Sequence, residues 1–146
     1  MSQTTYDADF YSWTQHQAAA LRAQDFTALD VEHLAEEIES LGRSDRYAVE
    51  NQLERLVLHL LKRRYDPAME PRRLWPLTII HARREIAKRV EDSPSLQDHP
   101  ARYLATAYRH AREDAVVETG LPLATFPETC PWTVDQLLDS GFLPES

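Results

Sequence analysis

Apolar residues recur along this chain at the three- and four-residue spacing of a helix, in stretches separated by proline, glycine and short polar runs. Phe10, Trp13 and Leu21 share a face, with Gln17 between them, and predict a first helix from about Asp7 to Gln24. Asp7 and Asp9 stand where its macrodipole favours negative charge. Asp25 to Asp30 form a short connection, and Asp30 is expected to cap the next helix by accepting an orphan backbone N–H. That helix carries Leu34, Ile38 and Leu41 as its inward stripe. Gly42 reads as a stop and Ser44 as a new cap, so a minimal break is predicted there. The apolar rhythm nevertheless runs on through Ala48, Val49, Leu53, Leu56 and Leu60. Leu56, Val57, Leu58, Leu60 and Leu61 cover most sides of this third helix and mark it as the most buried element.

Asp66-Pro67 and Pro71 must end it. Trp75-Pro76 predicts a new start with proline in the first turn, followed by Ile79, Ile86 and Val90 on one face. Asp92 to Ser95 form a turn. Pro100 falls in the first turn of a fifth helix whose Leu104, Ala107, Ala111 and Ala115 share a face and which ends at Gly120. Thr133-Val-Asp-Gln136 is a capping-box pattern for a short last helix, after which Phe142 and Leu143 are expected to fold back. The pattern as a whole predicts an all-α protein, an antiparallel bundle of five to six helices with a short C-terminal helix, forming a single domain over residues 1–146.

Composition supports that fold. Three glycines are too few for a sheet protein, which turns often. No stretch approaches the roughly 20 apolar residues of a membrane span. The N-terminus lacks the basic start and apolar run of a secretory signal, and Cys130 is the only cysteine, so a cytoplasmic protein without disulfides is expected. The net charge of −8 disfavours general nucleic-acid binding. It is unevenly spread: residues 1–42 hold eight acids and one base, residues 43–91 seven acids and twelve bases, and residues 92–146 nine acids and three bases.

Several strings stand out. They are Tyr6-Asp7, Asp9-Phe10-Tyr11, Trp13, Gln17-Ala18, Leu34 through Ser44, His59-Leu60-Leu61-Lys62, Trp75, Thr78-Ile79, Ser93 through Leu96, Glu118 through Pro122, Phe126-Pro127, Cys130-Pro131 and Gln136-Leu137-Leu138. Together they resemble the bacterial family catalogued as domain of unknown function twenty-nine, over nearly the whole chain. The resemblance implies a compact helical protein and carries no activity or catalytic residue with it. Pro76, after Trp75, departs from the family pattern and bears only on where the fourth helix starts.

Polar groups recur at core-facing positions. Glu37 borders the Leu34 stripe, whereas Glu36 points away. His59 borders the stripe of the third helix. Arg83 lies within about 60° of Ile79 and Ile86. Tyr108 and Glu118 fall on the alanine face of the fifth helix and Arg112 borders it. Buried unpaired, each would cost several kcal/mol, so these six are expected to meet as an interhelical polar cluster, with Glu37 and Glu118 pairing with Arg83 or Arg112. A structural network explains them most simply; the alternative is an enzyme or sensor site, in one version metal-dependent. The spacing does not support a metal, because His59 has Leu56 where bundle metal sites place glutamate, and no cofactor is expected. A second candidate is an anion patch of Lys62, Arg63, Arg64, Arg72 and Arg73, flanked by Tyr65 and Trp75, which would take nucleic acid or another anion. Cys130 reads as an inert thiol. With no catalytic motif, the favoured reading is a non-enzymatic binding or adaptor module. Its expected partner is a protein or a second copy of itself, rather than nucleic acid, and not a membrane.

Overall fold

The leucine-rich middle of the chain folds as its pattern demands. Val49, Leu53, Leu56, Val57, Leu60 and Leu61 are fully buried on one helix, each large side chain contributing about 2 kcal/mol of transfer free energy. The computed structural model describes the backbone of residues 2–67 and 75–144 and the side chains of residues 5–67 and 77–144. Among these the helices are α1 (Ser2–Ala8), α2 (Phe10–Arg22), α3 (Val31–Tyr65), α4 (Trp75–Asp92), α5 (His99–Thr119) and α6 (Val134–Leu138), with short 3₁₀ turns at Phe26–Ala28, Pro94–Leu96 and Leu123–Thr125. No strand occurs among the described residues, and the fold is an all-α bundle. No described helix is long and apolar enough to cross a membrane.

The chain forms two compact units, Met1–Ser44 and Asp45–Ser146. In the second, α3 contributes the leucines above, α4 contributes Ile79, Ala82 and Ile86, and α5 contributes Ala107, Tyr108, Ala111 and Ala115. Phe126, Trp132 and Leu137 complete this core, and Phe142 and Leu143 pack against it, so the chain end folds back as expected. Gly120 ends α5 at φ 74°, the left-handed region that favours glycine. Thr133 and Gln136 form the expected reciprocal capping box.

Two boundaries differ from expectation. The first helix starts earlier and is divided, because Asp9 leaves helical geometry and its Oδ1 accepts from the Ser12 N–H at 3.0 Å as the cap of α2. The predicted break at Gly42 is absent: α3 runs unbroken from Val31 to Tyr65. A helical stop at glycine uses positive φ, and Gly42 does not adopt it. Glycine inside a helix costs only about 1 kcal/mol relative to alanine, which the packing of Val49 through Leu61 outweighs.

The third difference lies in the first unit. Ile38 and Leu41, expected to face inward, are 67 % and 69 % exposed. Among the described residues of this unit only Trp13 and Gln17 are buried. So short a segment encloses little volume, and its two apolar stripes line an open groove instead of closing a seam.

Candidate functional site

The groove is built on a bonded floor. Gln17 of α2 reaches the turn before α3 and bonds it twice: its Oε1 accepts from the Asp30 N–H at 2.7 Å, and its Nε2 donates to the Ala28 carbonyl at 3.4 Å. Trp13 Nε1 donates to Asp30 Oδ2 at 3.1 Å, and His33 Nδ1 donates to the same oxygen at 2.7 Å. Asp30 thus stands at the start of α3 as expected, though its bond to the His33 N–H is long, 3.5 Å. His33 beside it holds the Asp30 carboxyl below the usual carboxylate range, with help from Trp13, and Asp30 in turn raises the His33 imidazole above its ordinary value. The Tyr6 ring stacks on His33 with centroids 3.8 Å apart and meets Trp13 edge-on at 4.8 Å. Its hydroxyl donates to Glu37 Oε2, and that bond, more than burial, pushes the phenol up to about 12.

Above this floor the walls are hydrocarbon. Phe10, Ala18 and Leu21 of α2 and Leu34, Ile38 and Leu41 of α3 line about 390 Å³. The lining polar groups are already engaged: Gln17 and Glu37 as described, and the Thr14 hydroxyl with the Tyr11 carbonyl at 2.7 Å. The groove therefore offers contact area to an apolar body, and its carboxylate and amide are bonded to Tyr6 and to the turn before α3.

The six residues of the expected polar cluster take other partners. Glu37 belongs to the first unit and accepts from Tyr6. His59 Nδ1 donates to the Arg55 carbonyl at 2.9 Å, and burial lowers its pKa. Buried Arg83 holds the chain end, with Nε on the Leu137 carbonyl at 2.6 Å and Nη2 on the Phe142 carbonyl at 2.8 Å. Tyr108 donates to the Pro127 carbonyl at 2.6 Å, and burial raises its phenol. Arg112 donates to the carbonyls of Phe126, at 2.9 Å, and Leu123, at 3.3 Å. Glu118 is half exposed and pairs with Lys62. Within the second unit, Arg83 and Arg112 are bonded to main-chain carbonyls and Glu118 to Lys62 rather than to one another. Two pairs of the six still feel each other's charge, His59 with Glu118 and Tyr108 with Arg112.

The anion patch is only partly visible. Lys62 pairs with Glu118, Arg64 lies over the Tyr65 ring at 5.0 Å, and Arg63 carries a buried Nη1 that meets no bonding partner among the described residues. Arg72 and Arg73, and the Trp75 side chain, lie outside the described residues. Cys130 is half-buried and burial raises its thiol pKa.

The family model described as "Domain of unknown function DUF29" matches residues 5–143. The chain belongs to this family. No curated protein and no solved structure matches it. In this DUF29 protein both walls of the groove fall within the matched span.

A second polar constellation of the DUF29 chain was not foreseen. Glu50 and Glu54 of α3 face α5, where His99 Nε2 donates to Glu50 at 2.7 Å, and Tyr103 and His110 both donate to one oxygen of Glu54, at 2.5 and 3.0 Å. Burial, then Glu54, pushes the Tyr103 phenol up to about 12. The one-turn spacing of Glu50 with Glu54, and of His99 with Tyr103, was the available signal. The residues of the groove were noticed in the sequence, but as core.

Proposed function

We propose that this protein is a non-enzymatic binding module that receives a helix of another protein in the groove between α2 and the first turns of α3. The observation that carries the reading is the exposure of Ile38, Leu41, Phe10 and Leu21, at 67, 69, 48 and 48 %, around one apolar trough. Large side chains gathered in a groove, rather than scattered singly, mark interaction sites. The predominance of hydrocarbon in the lining supports binding over catalysis.

A photo-crosslinking amino acid placed at position 38 or 41 of the full chain, in cells, tests this. Both positions should yield an adduct with the same protein, mapped by mass spectrometry to a helical segment, while exposed position 113 on α5 should not. Adducts of equal yield and identity at all three positions, or none at 38 and 41, would refute the docking role.

A further inference from the structure

We infer that the occupant of the groove is a cationic amphipathic helix, one that joins an apolar stripe to flanking lysine and arginine. This rests on the docking role proposed above and adds the partner's chemistry.

Backbone chemistry selects a helix. Both walls are α-helices whose main-chain groups are bonded within themselves, so an extended peptide would find no edge to pair with and would bury bare N–H and C=O groups. A helix satisfies its own backbone before it enters an apolar trough. From Phe10 to Leu21 the α2 wall runs about 16 Å at 1.5 Å per residue. That accommodates about three helical turns, enough for apolar anchors at i, i+3 or i+4, and i+7.

Charge selects cations. The unit holds eight acids and two bases. Asp30 and Glu37 are engaged in the floor, while Asp7, Asp9, Asp25, Glu32, Glu36 and Glu39 are exposed. A mostly apolar trough, with the Glu37 carboxylate the one charged group in its lining, thus sits in a negative field. Nucleic acid and anionic lipid surfaces are repelled by such a field. A second copy docking through the same groove would bring two acidic units face to face. Lysine or arginine beside an apolar stripe relieves the field, speeds encounter and makes the complex salt-sensitive.

The test uses the full chain and three synthetic helical peptides of about 18 residues, five turns, sharing one leucine stripe and carrying lysine, glutamine or glutamate elsewhere. Fluorescence anisotropy should show the lysine peptide binding at least about tenfold tighter than the glutamine one, about 1.4 kcal/mol, and the glutamate peptide not binding. Raising salt from about 0.05 to 0.5 M should weaken the lysine complex several-fold. Ile38→Asn and Leu41→Asn should each weaken it; both side chains are exposed, so the unit stays folded. Equal affinity of the lysine and glutamine peptides overturns the charge requirement while leaving the docking role standing. Lysine-peptide binding indifferent to both asparagine variants overturns the site, because attraction is then general. Self-association in sedimentation that Ile38→Asn abolishes makes the occupant a second copy and overturns the inference. Failure of all three peptides, with position-specific crosslinks intact, overturns the helical cation alone; failure of both experiments removes the docking role as well.

Discussion

Replacing Leu41 with alanine asks whether the groove wall is free. Leu41 is 69 % exposed, whereas Leu53, further along the same helix, is 0 % exposed. Truncating a leucine in a closed core costs about 3 kcal/mol, transfer and cavity together. Leu41 has about a third of its surface covered and leaves no cavity when trimmed, so only about a third of the roughly 2 kcal/mol transfer value is at stake. Alanine is also a slightly better helix former than leucine. Leu41→Ala should therefore cost about 0.5 kcal/mol and Leu53→Ala about 3 kcal/mol. Urea denaturation of the full chain measures both, followed by far-UV circular dichroism and by tryptophan fluorescence, with Trp13 reporting the first unit. If Leu41→Ala costs as much as Leu53→Ala, the stripe is a core wall, and the binding reading built on it fails.

Other outcomes follow from the same contacts. Arg83→Met leaves the carbonyls of Leu137 and Phe142 without the guanidinium donor and should cost about 2–3 kcal/mol; hydrogen exchange should rise first over residues 137–143, and Arg83→Lys should rescue poorly because a single ammonium nitrogen does not present its donors at the two separate positions that Nε and Nη2 occupy. His33 and His59 should titrate on opposite sides of about 6.5, His33 above and His59 below, by NMR of their ring protons. The linked stabilities then differ in sign: the His33 contribution is full below about 6.5 and is lost as pH rises through its folded pKa, whereas the burial of His59 opposes folding as pH falls below about 6.5. Coincident midpoints would refute both causes. Tyr6→Phe and Tyr103→Phe should each remove one late-titrating phenol, near 12, from the ultraviolet titration.

Much of the fold is legible in the residues. Periodicity placed α4 and α5, Gly120 ended α5 and Thr133-Gln136 opened α6, because each rests on local chemistry the sequence states outright. Gly42 misled, since a glycine stop requires positive φ and periodicity says nothing about φ. Arg83 was correctly placed near the core from its angle to Ile79 and Ile86, yet its partners were not, because main-chain carbonyls outside helices have no sequence signature. The groove was hidden for a different reason. A stripe such as Leu34, Ile38 and Leu41 says that one face is apolar and is silent on whether anything covers it. The shortness of the unit and its surplus of acids were the only hints.

Arg83, Tyr108 and Arg112 all grip peptide oxygens of the segment from residue 123 to residue 142. Such a clasp is blind to which side chains the segment carries. Evolutionary drift or deliberate redesign can exchange residues there for others of like volume and keep the polar fastening, while the three donors have no freedom of their own. Saturation mutagenesis should expose that asymmetry as tolerance at the strap's positions outside its core residues Phe126, Trp132 and Leu137, and intolerance in the hands that hold it.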